Sequence, residues 1–373
     1  MLATTRDDRW SKLRRRSPTL PAVEALGRED QSTAREREPS RVETSADPRA
    51  VSGVAAVDPR SVPIPVRLNL FLCALVLVLA VALLWAASHA TTGWATLFSA
   101  VAFSYVMLTD YALLHEATHA SLHMDPRWNR FLGRMLGALF PVPFTMILTT
   151  HRGHHERNRT DAEMFDLYYA RDSCFLKCVQ WYGILTGFFW PFVPVGAVLA
   201  SVFPRALRAR MFRERNDTKH LLGDLQGELL RTIRLETAGI ALFFVLLFAL
   251  LDLRAGSVLL CYACFSLNWS TRQYIGHAFT KRDVVHGAWN LAHGRAMSAV
   301  LLHGEWDLNH HRHPEVPWIH IPRLACEPES RRGYVRQYWR QWLGPRLTEE
   351  RSPRATPSLT PAHLQPIRSE SKP

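Results

Sequence analysis

Residues 94–119, WATLFSAVAFSYVMLTDYALLHEATH, join a long apolar run to a pair of histidines. The run over residues 94–114 contains one charged side chain, Asp110, and is long enough to cross the hydrocarbon core of a bilayer as a helix. His115 and His119 follow at once, and their spacing of four places both imidazoles on one face of a helix. This stretch therefore predicts a membrane-spanning helix that ends in a pair of candidate metal ligands.

Three further apolar runs are suited to membrane helices. The run from Leu68 to Ala87 has 20 residues without a charge, and a short turn joins the run Glu236 to Leu253 to the run Gly256 to Asn268. We expect an all-α integral membrane protein with about four transmembrane helices in two hairpins, residues 68–114 and 236–275.

Basic residues indicate which side of the membrane each segment occupies, because Lys and Arg are retained on the cytoplasmic side. Residues 204–234 contain eight Lys and Arg, whereas the loop at 88–93 contains none. A full crossing at 181–203 would move the basic stretch outward. We therefore predict that this proline-interrupted run, and a similar one at 131–150, are interfacial or re-entrant. Both termini and a histidine-rich cap are then cytoplasmic.

The two ends of the chain differ in composition from its middle. Residues 1–60 and 346–373 are polar and lack apolar periodicity, so we predict disordered tails around a membrane domain at 66–345. The net charge of +12 is not accompanied by a nucleic-acid-binding motif, and the basic residues flank apolar runs. We therefore expect a membrane protein with no nucleic-acid partner. The six cysteines do not suggest a disulfide framework.

Two more histidine clusters are present, HRGHH at 151–155 and DLNHHRHP at 307–314. The spacing in HRGHH directs three imidazoles to one helical face. Eight imidazoles at membrane-exit positions form the candidate ligand set: His115, His119, His151, His154, His155, His277, His310 and His311. A catalytic zinc takes about three protein ligands, so eight imidazoles favour two metal ions, although imidazole ligation does not identify the metal.

HExxH alone is also the signature of zinc proteases, in which Glu116 would serve as the base. That interpretation leaves the clusters at 151–155 and 307–314 unexplained, so we rank it lower. For His123 and His303, a ligand role and a structural role remain equally open.

These motifs resemble those of membrane fatty acid desaturases. The segments at 115–119, 151–155 and 310–318 look like the three histidine boxes of that family, and RQYIGH at 272–277 is also similar. The resemblance covers about residues 66–324. In that family, the boxes and the single histidine before the third box bind two irons, which implies that the eight imidazoles hold two iron ions.

The third box departs from the family pattern, which has His or Gln three residues before the final pair where this chain has Asp307. A carboxylate is a competent iron ligand, so Asp307 is a candidate, and His303 or His313 are alternatives. The sequence leaves this choice open.

Metal-bound imidazoles usually donate their second N–H group to a carboxylate or a carbonyl. We expect Glu116, Asn158 and Asp161 to lie just outside the ligands. Glu163 is another candidate, and Asp110, inside a predicted span, is a weaker one.

The resemblance implies O2-dependent desaturation of a lipid acyl chain. No electron-carrying module is evident in the chain, so we expect electrons from a separate ferredoxin-like donor. A hydroxylase or ketolase acting on a fatty acyl, sphingolipid or carotenoid substrate remains the alternative, because the same ligands can support either outcome.

Overall fold

Helices provide nearly all the regular structure of this chain. A computed structural model describes residues 62–204, 227–324 and 331–356, and the predicted tail at 1–60 lies outside them. The helices are α1 (Val66–His89), α2 (Gly93–Thr118), α3 (Pro126–Leu139), α4 (Phe144–Arg157), α5 (Cys174–Leu185), α6 (Phe192–Val202), α7 (Gly227–Leu251), α8 (Ala255–Gln273), α9 (Arg295–Val300), α10 (Asp307–Arg312) and α11 (Tyr334–Gln341). The strands β1 (Leu167–Tyr168), β2 (Leu291–Ala292), β3 (Arg332–Gly333) and β4 (Arg346–Leu347) form two short parallel pairs, β1 with β4 and β2 with β3. The predicted all-α membrane fold is confirmed.

Three helices of the described residues, α1, α2 and α7, are long and apolar enough to cross a membrane. The helices α3 and α4 pass the same test only as a pair that bends by 98°. Pro141 and Pro143 lie in the break between them, where proline removes backbone donors and prevents a continuous helix. A bend of this kind occurs both in a broken span and in a re-entrant loop, so the re-entrant segment at 131–150 stays a prediction. Neither α5 nor α6, within the stretch at 181–203, is long enough to span.

The fourth predicted span forms a helix, α8, but it is not among the helices that qualify as spans. Its C-terminal part is polar, with Asn268, Ser270, Thr271 and Arg272 near the end. The neighbouring helices α1 and α2 pack against α8, and Asn268 donates to the Ser104 hydroxyl of α2 at 3.0 Å. A helix covered by protein can keep polar residues, so α8 has less need of the continuous apolar surface that lipid requires.

The core of the bundle lies where α2 packs between α1 and α8. The buried face of α1 recurs every three or four residues, at Cys73, Val76, Ala80, Leu84 and Ala87. This period matches the helical repeat and leaves the other faces of α1 for lipid.

The turns of the two helical hairpins meet at one end of the bundle. The backbone N–H of Arg254, at the start of α8, donates to the hydroxyl of Ser88 at the end of α1 at 3.1 Å. Because α2 and α8 both run away from this end, His115 and His277 emerge together at the opposite end.

One buried amide ties α1 to the histidine-bearing end. The Asn69 side chain donates to the backbone carbonyls of Ser121 and Leu122 at 3.3 and 2.9 Å, and it accepts from the indole N–H of Trp318 at 3.0 Å. These bonds join the segments that follow the first and third histidine boxes.

Residues 346–356, which composition alone assigned to a tail, pack against the histidine-bearing end instead. The backbone carbonyl of Glu350 accepts from Arg282 at 2.8 Å, and the Ser352 hydroxyl accepts from the backbone of Asp161 at 3.1 Å. The remainder of the predicted C-terminal tail, 357–373, lies outside the described residues.

Candidate metal centre

The structure brings all eight predicted imidazole ligands together at one end of the bundle. They divide into two adjoining groups. The first group comprises His115, His119, His151, His155 and His310, and the second comprises His154, His277 and His311. In each group, one nitrogen per residue lies within 4.8 Å of the corresponding nitrogen of every other member.

The first group is a convergence of ring nitrogens from three segments. Nε2 of His151 lies 2.7 Å from Nε2 of His119 and 3.1 Å from Nε2 of His155, which in turn lies 3.1 Å from Nε2 of His310. Two nitrogens bound to one ion at about 2.1 Å are separated by roughly 3 to 3.4 Å, so these spacings are close to those of ligands on one metal.

Adjacent histidines in the sequence serve different groups. His154 and His155 follow one another on α4, and their rings turn toward the second and first groups respectively. The same division applies to His310 and His311 on α10. The groups adjoin closely, since the ring centroids of His155 and His311 lie 4.5 Å apart.

The second group contains a contact that requires a cation or a shared proton. Nδ1 of His154 lies 2.6 Å from the Glu163 carboxylate, and Nδ1 of His277 lies 3.0 Å from the Gly287 carbonyl. Both Nδ1 atoms therefore carry hydrogen, which leaves lone pairs on both Nε2 atoms when the rings are neutral. These Nε2 atoms face each other at 3.2 Å. Two lone pairs repel at that distance, so the donor set fits a metal ion.

Burial favours the neutral form of the two ligand imidazoles on α10. It lowers the pKa of His310 and of His311 well below the ordinary value, and the neighbouring imidazoles lower both further. A neutral imidazole is the form that binds a metal, so these side chains need not lose a proton before they bind one near neutral pH.

Asp307 lies beside the second group. Its carboxylate lies 3.1 Å from Nε2 of His277 and 3.8 Å from Nε2 of His311. Gly276 provides the space, because a Cβ atom at that position would overlap the Asp307 carboxylate. Of the alternatives that the sequence left open for the third box, the geometry favours Asp307.

His303 belongs to neither group. Its backbone has φ of +60°, its Nδ1 lies 3.7 Å from the Glu305 carboxylate, and its ring lies 5.8 Å from the ring of Trp318. His313 is likewise in neither group. Nδ1 of His123 accepts from the backbone N–H of Asp125 at 2.9 Å, which is a structural role.

Glu163 and Asn158 support the ligands of the second group. Glu163 bonds His154 directly, whereas Asn158 donates to the Gly287 carbonyl at 3.2 Å, the same carbonyl that His277 contacts. Carboxylates and carbonyls in these places fix the orientation of a ligand ring. The role of Asn158 just outside the ligands stays a prediction.

Asp161 does not occupy the place that the sequence suggested. Its carboxylate accepts from Arg282 at 2.7 Å and from the Tyr169 hydroxyl at 2.9 Å, and no histidine contact of Asp161 is present among the described residues. Glu163, two residues later and also a candidate, has the role expected of Asp161. A 3-10 turn over Asp161–Glu163 directs the two carboxylates differently, and composition does not reveal that turn.

The two other carboxylates predicted near the metal are buried. Glu116 lies 3.8 Å from Nδ1 of His115 and accepts from the Ser121 hydroxyl at 2.7 Å and from the backbone N–H of Trp318 at 3.1 Å. Asp110 is fully buried in α2, and neither of its oxygens has a hydrogen-bond partner within the described residues.

A buried ion pair anchors the loop after the second box, which the sequence analysis did not anticipate. The Arg159 guanidinium donates to Asp166 at 2.5 Å and to the Tyr274 hydroxyl at 2.9 Å. Tyr274 lies three residues before His277, so its bond with Arg159 connects the residues after α4 to the segment of the single histidine. Arg159 and Tyr274 are 115 residues apart in sequence, and no local pattern indicates their contact.

The chain matches the family model described as fatty acid desaturase over residues 92–343, which is 252 of its 373 residues. No individual curated protein matches the sequence significantly. The matched region contains all eight clustered histidines and Asp307. The chain is therefore a member of the fatty acid desaturase family.

Proposed function

We propose that this protein is an O2-dependent lipid acyl desaturase with two iron ions, one in each histidine group. The observation that carries the proposal is the pair of adjoining groups, one of five imidazoles and one of three imidazoles with Asp307. Imidazole with carboxylate is a competent set of iron ligands, and two-metal sites hold their ions about 3.5 to 4 Å apart. A resident iron pair would supply the O2 chemistry that side-chain acids and bases cannot perform on unactivated methylene groups.

The protein residues hold this site in a fixed geometry. Glu163 and the Gly287 carbonyl orient His154 and His277, and Asn158 holds the Gly287 carbonyl in place. In desaturation the substrate loses two hydrogens, and two external electrons with two protons complete the reduction of O2 to two waters.

The position of the site suits a substrate with a long apolar tail. Tyr111, one turn before His115, packs against Phe140 and Trp269 with ring centroids 5.5 and 5.1 Å apart. These rings lie on the membrane side of the first group and give it an apolar border. We infer that the acyl chain approaches from this side.

A zinc protease is a weaker proposal for this geometry. Glu116 would be the base, but its carboxylate is buried and already accepts from Ser121 and Trp318. In addition, three imidazoles of other segments surround His115 and His119, which exceeds the ligand set of one catalytic zinc.

We further propose that the histidine-bearing end faces the cytoplasm and receives electrons from a separate ferredoxin-like protein. The basic segment at 204–234 supports this orientation. A membrane-impermeant maleimide should label Cys in place of Thr91, in the turn between α1 and α2, from outside sealed right-side-out vesicles. The exposed native Cys174 should react only after permeabilisation. The reverse pattern would contradict the orientation.

The reaction is tested by supplying lipids, O2 and a reducing system to the iron-loaded protein and measuring the product masses by mass spectrometry. Loss of two hydrogens from an acyl chain is the expected result. Gain of one oxygen would assign the chain to the hydroxylases and ketolases, and peptide cleavage without O2 would replace the proposal with the protease.

A further inference from the structure

Helix α11 has three distinct faces. Tyr334, Gln337 and Gln341 are buried against the rest of the protein. A second face is apolar and exposed: the exposed fractions of Val335 and Trp339 are 66% and 64%, and that of Leu343, two residues beyond the helix, is 76%. A third face carries Arg336 and Arg340, and Arg332 in β3 precedes the helix at the same spacing of four. A helix with an open apolar stripe beside a basic stripe is the pattern of helices that lie in a membrane interface.

The helix lies at the level where α8 ends. The Gln341 side chain donates to the backbone carbonyl of Thr271 at 2.5 Å, and Arg272 donates to the Tyr334 hydroxyl at 3.4 Å. Both contacts are with the last residues of α8. Because α2 and α8 end at the same side of the bundle, α11 lies near the membrane boundary on the histidine-bearing side.

The open apolar face of α11 continues into a surface that must face lipid. The Tyr182 hydroxyl of α5 donates to the backbone carbonyl of Trp342 at 3.0 Å. On the same helical face as Tyr182, α5 exposes Phe175 and Val179. The chain then passes through exposed Phe188 to α6, which packs on the membrane-spanning helix α7.

The arginines beside this face have no acidic partner among the described residues. Within the part of the chain that the structure describes, none of Arg332, Arg336, Arg340 and Arg346 forms an ion pair with a carboxylate. Three of them stack on aromatic rings: Arg332 on Trp289 at 3.8 Å, and Arg340 and Arg346 on Phe279 at 5.5 and 4.1 Å. The stacking holds like charges close together, which leaves a concentrated positive patch for an external anion.

We propose that α11 with its flanking residues is an interfacial anchor that seats the histidine-rich end on anionic phospholipid. Val335, Trp339 and Leu343 enter the boundary between headgroups and acyl chains, and the arginines contact the lipid phosphates. An acidic protein would match the charge, but it would not account for the continuity of these apolar side chains with the exposed apolar residues of α5 and α6. The proposal concerns membrane seating and does not depend on the reaction that the metal centre performs.

The test uses the full chain in nanodiscs made either of phosphatidylcholine alone or of phosphatidylcholine with phosphatidylglycerol. The emission of Trp339 is obtained by subtracting the spectrum of Trp339→Phe from that of the wild type. In anionic discs, we expect quenching by lipids brominated near the headgroup, protection from acrylamide, and a blue-shifted emission. Discs of phosphatidylcholine alone should give less bromolipid quenching of Trp339 and an emission shifted to the red. The double variant Arg336→Glu with Arg340→Glu should have the same effect in anionic discs.

Two controls separate this proposal from general effects. Arg351→Glu with Arg354→Glu makes the same charge change at exposed residues outside the patch and should leave Trp339 unaffected. Trp94, exposed at the opposite end of α2, should not respond to the α11 changes. The proposal is wrong if Trp339 is open to acrylamide and unquenched by bromolipid in anionic discs. Protection gained only when an acidic electron-carrier protein is added would assign the face to a protein partner and overturn the lipid anchor.

Discussion

The carboxylate of Asp307 lies 3.1 Å from Nε2 of His277, a member of the smaller of the two imidazole groups. The two residues are 30 positions apart in the sequence. His277 follows α8, and Asp307 is the first residue of α10. The second group has three imidazoles and the first has five, so the Asp307 carboxylate would raise the number of ligands in the second group to four.

Replacing Asp307 tests this role. Asp307→Ala should retain the metal of the first group and lose much of the metal of the second, because a ligand is removed from the smaller set. Asp307→His should restore metal in part, since the family usually has an imidazole there. Metal per chain by elemental analysis measures both effects. Full metal and activity in Asp307→Ala would exclude it as an essential ligand, whereas His303→Ala should retain both ions.

Gly276→Ala should, like Asp307→Ala, lower the metal content of the second group, although it alters no ligand. A Cβ atom at 276 would overlap the Asp307 carboxylate and push it away from His277. Gly256→Ala is the matched control, because its Cβ would meet nothing within 4 Å. We expect loss of metal from the second group in the first variant and no loss in the second. Equal metal content in both would show that Asp307 is not constrained by this contact.

Glu163→Gln should weaken metal binding about 10- to 100-fold, the usual effect of removing the partner that orients a ligand histidine. Its carboxylate lies 2.6 Å from Nδ1 of His154, whereas Asp161 bonds Arg282 and Tyr169. Asp161→Asn is therefore the control and should retain its metal affinity. Competition with a chelator of known affinity measures both. A larger loss of metal affinity in Asp161→Asn than in Glu163→Gln would show that Asp161, and not Glu163, orients the ligand histidine.

His310 and His311 are adjacent in sequence but belong to different groups, so replacing each should remove a different amount of metal. His310→Ala removes one of five imidazoles, and His311→Ala removes one of three. The second variant should lose more metal than the first, although the replaced residues are neighbours. Titration with ferrous iron, followed by Mössbauer spectroscopy, distinguishes one occupied site from two. Identical iron content and spectra would contradict two separate groups.

Asn69→Ala tests the contacts that seat the histidine-bearing end on α1. The change leaves the indole N–H of Trp318 and the backbone carbonyls of Ser121 and Leu122 without their partner. An unsatisfied buried polar group costs about 1 to 3 kcal/mol, so we expect a lower melting temperature in detergent. Leu70→Ala, at a partly exposed neighbouring position, should cost less. A smaller loss in Asn69→Ala than in Leu70→Ala would argue against these contacts.

The sequence predicted the helical membrane fold and the eight imidazoles because both depend on local periodicity. Apolar runs of about 20 residues specify spans, and spacings of three or four residues direct the histidines of one helix to one side. The predicted fourth span, 256–268, has only 13 residues, and in the structure its helix does not qualify as a span. The helix α8 ends in polar residues that only its packing against α2 explains.

Long-range contacts decided what the sequence could not predict. The contact of Asp307 with His277 depends on the space at Gly276, and the contact of Glu163, rather than Asp161, with His154 depends on one 3-10 turn. Residues 346–356 are held in place by the pairing of β4 with β1 and by the bond from Arg282 to the Glu350 carbonyl. None of these partners lies within one helical turn of the other, so periodicity carries no information about them.

The metal content of the purified, detergent-solubilised protein tests the central claim most directly. Elemental analysis per chain of protein produced with ample iron and zinc should give about two irons, one for each imidazole group. One zinc and no iron would contradict the di-iron account and make peptide hydrolysis at the HExxH motif the next assay.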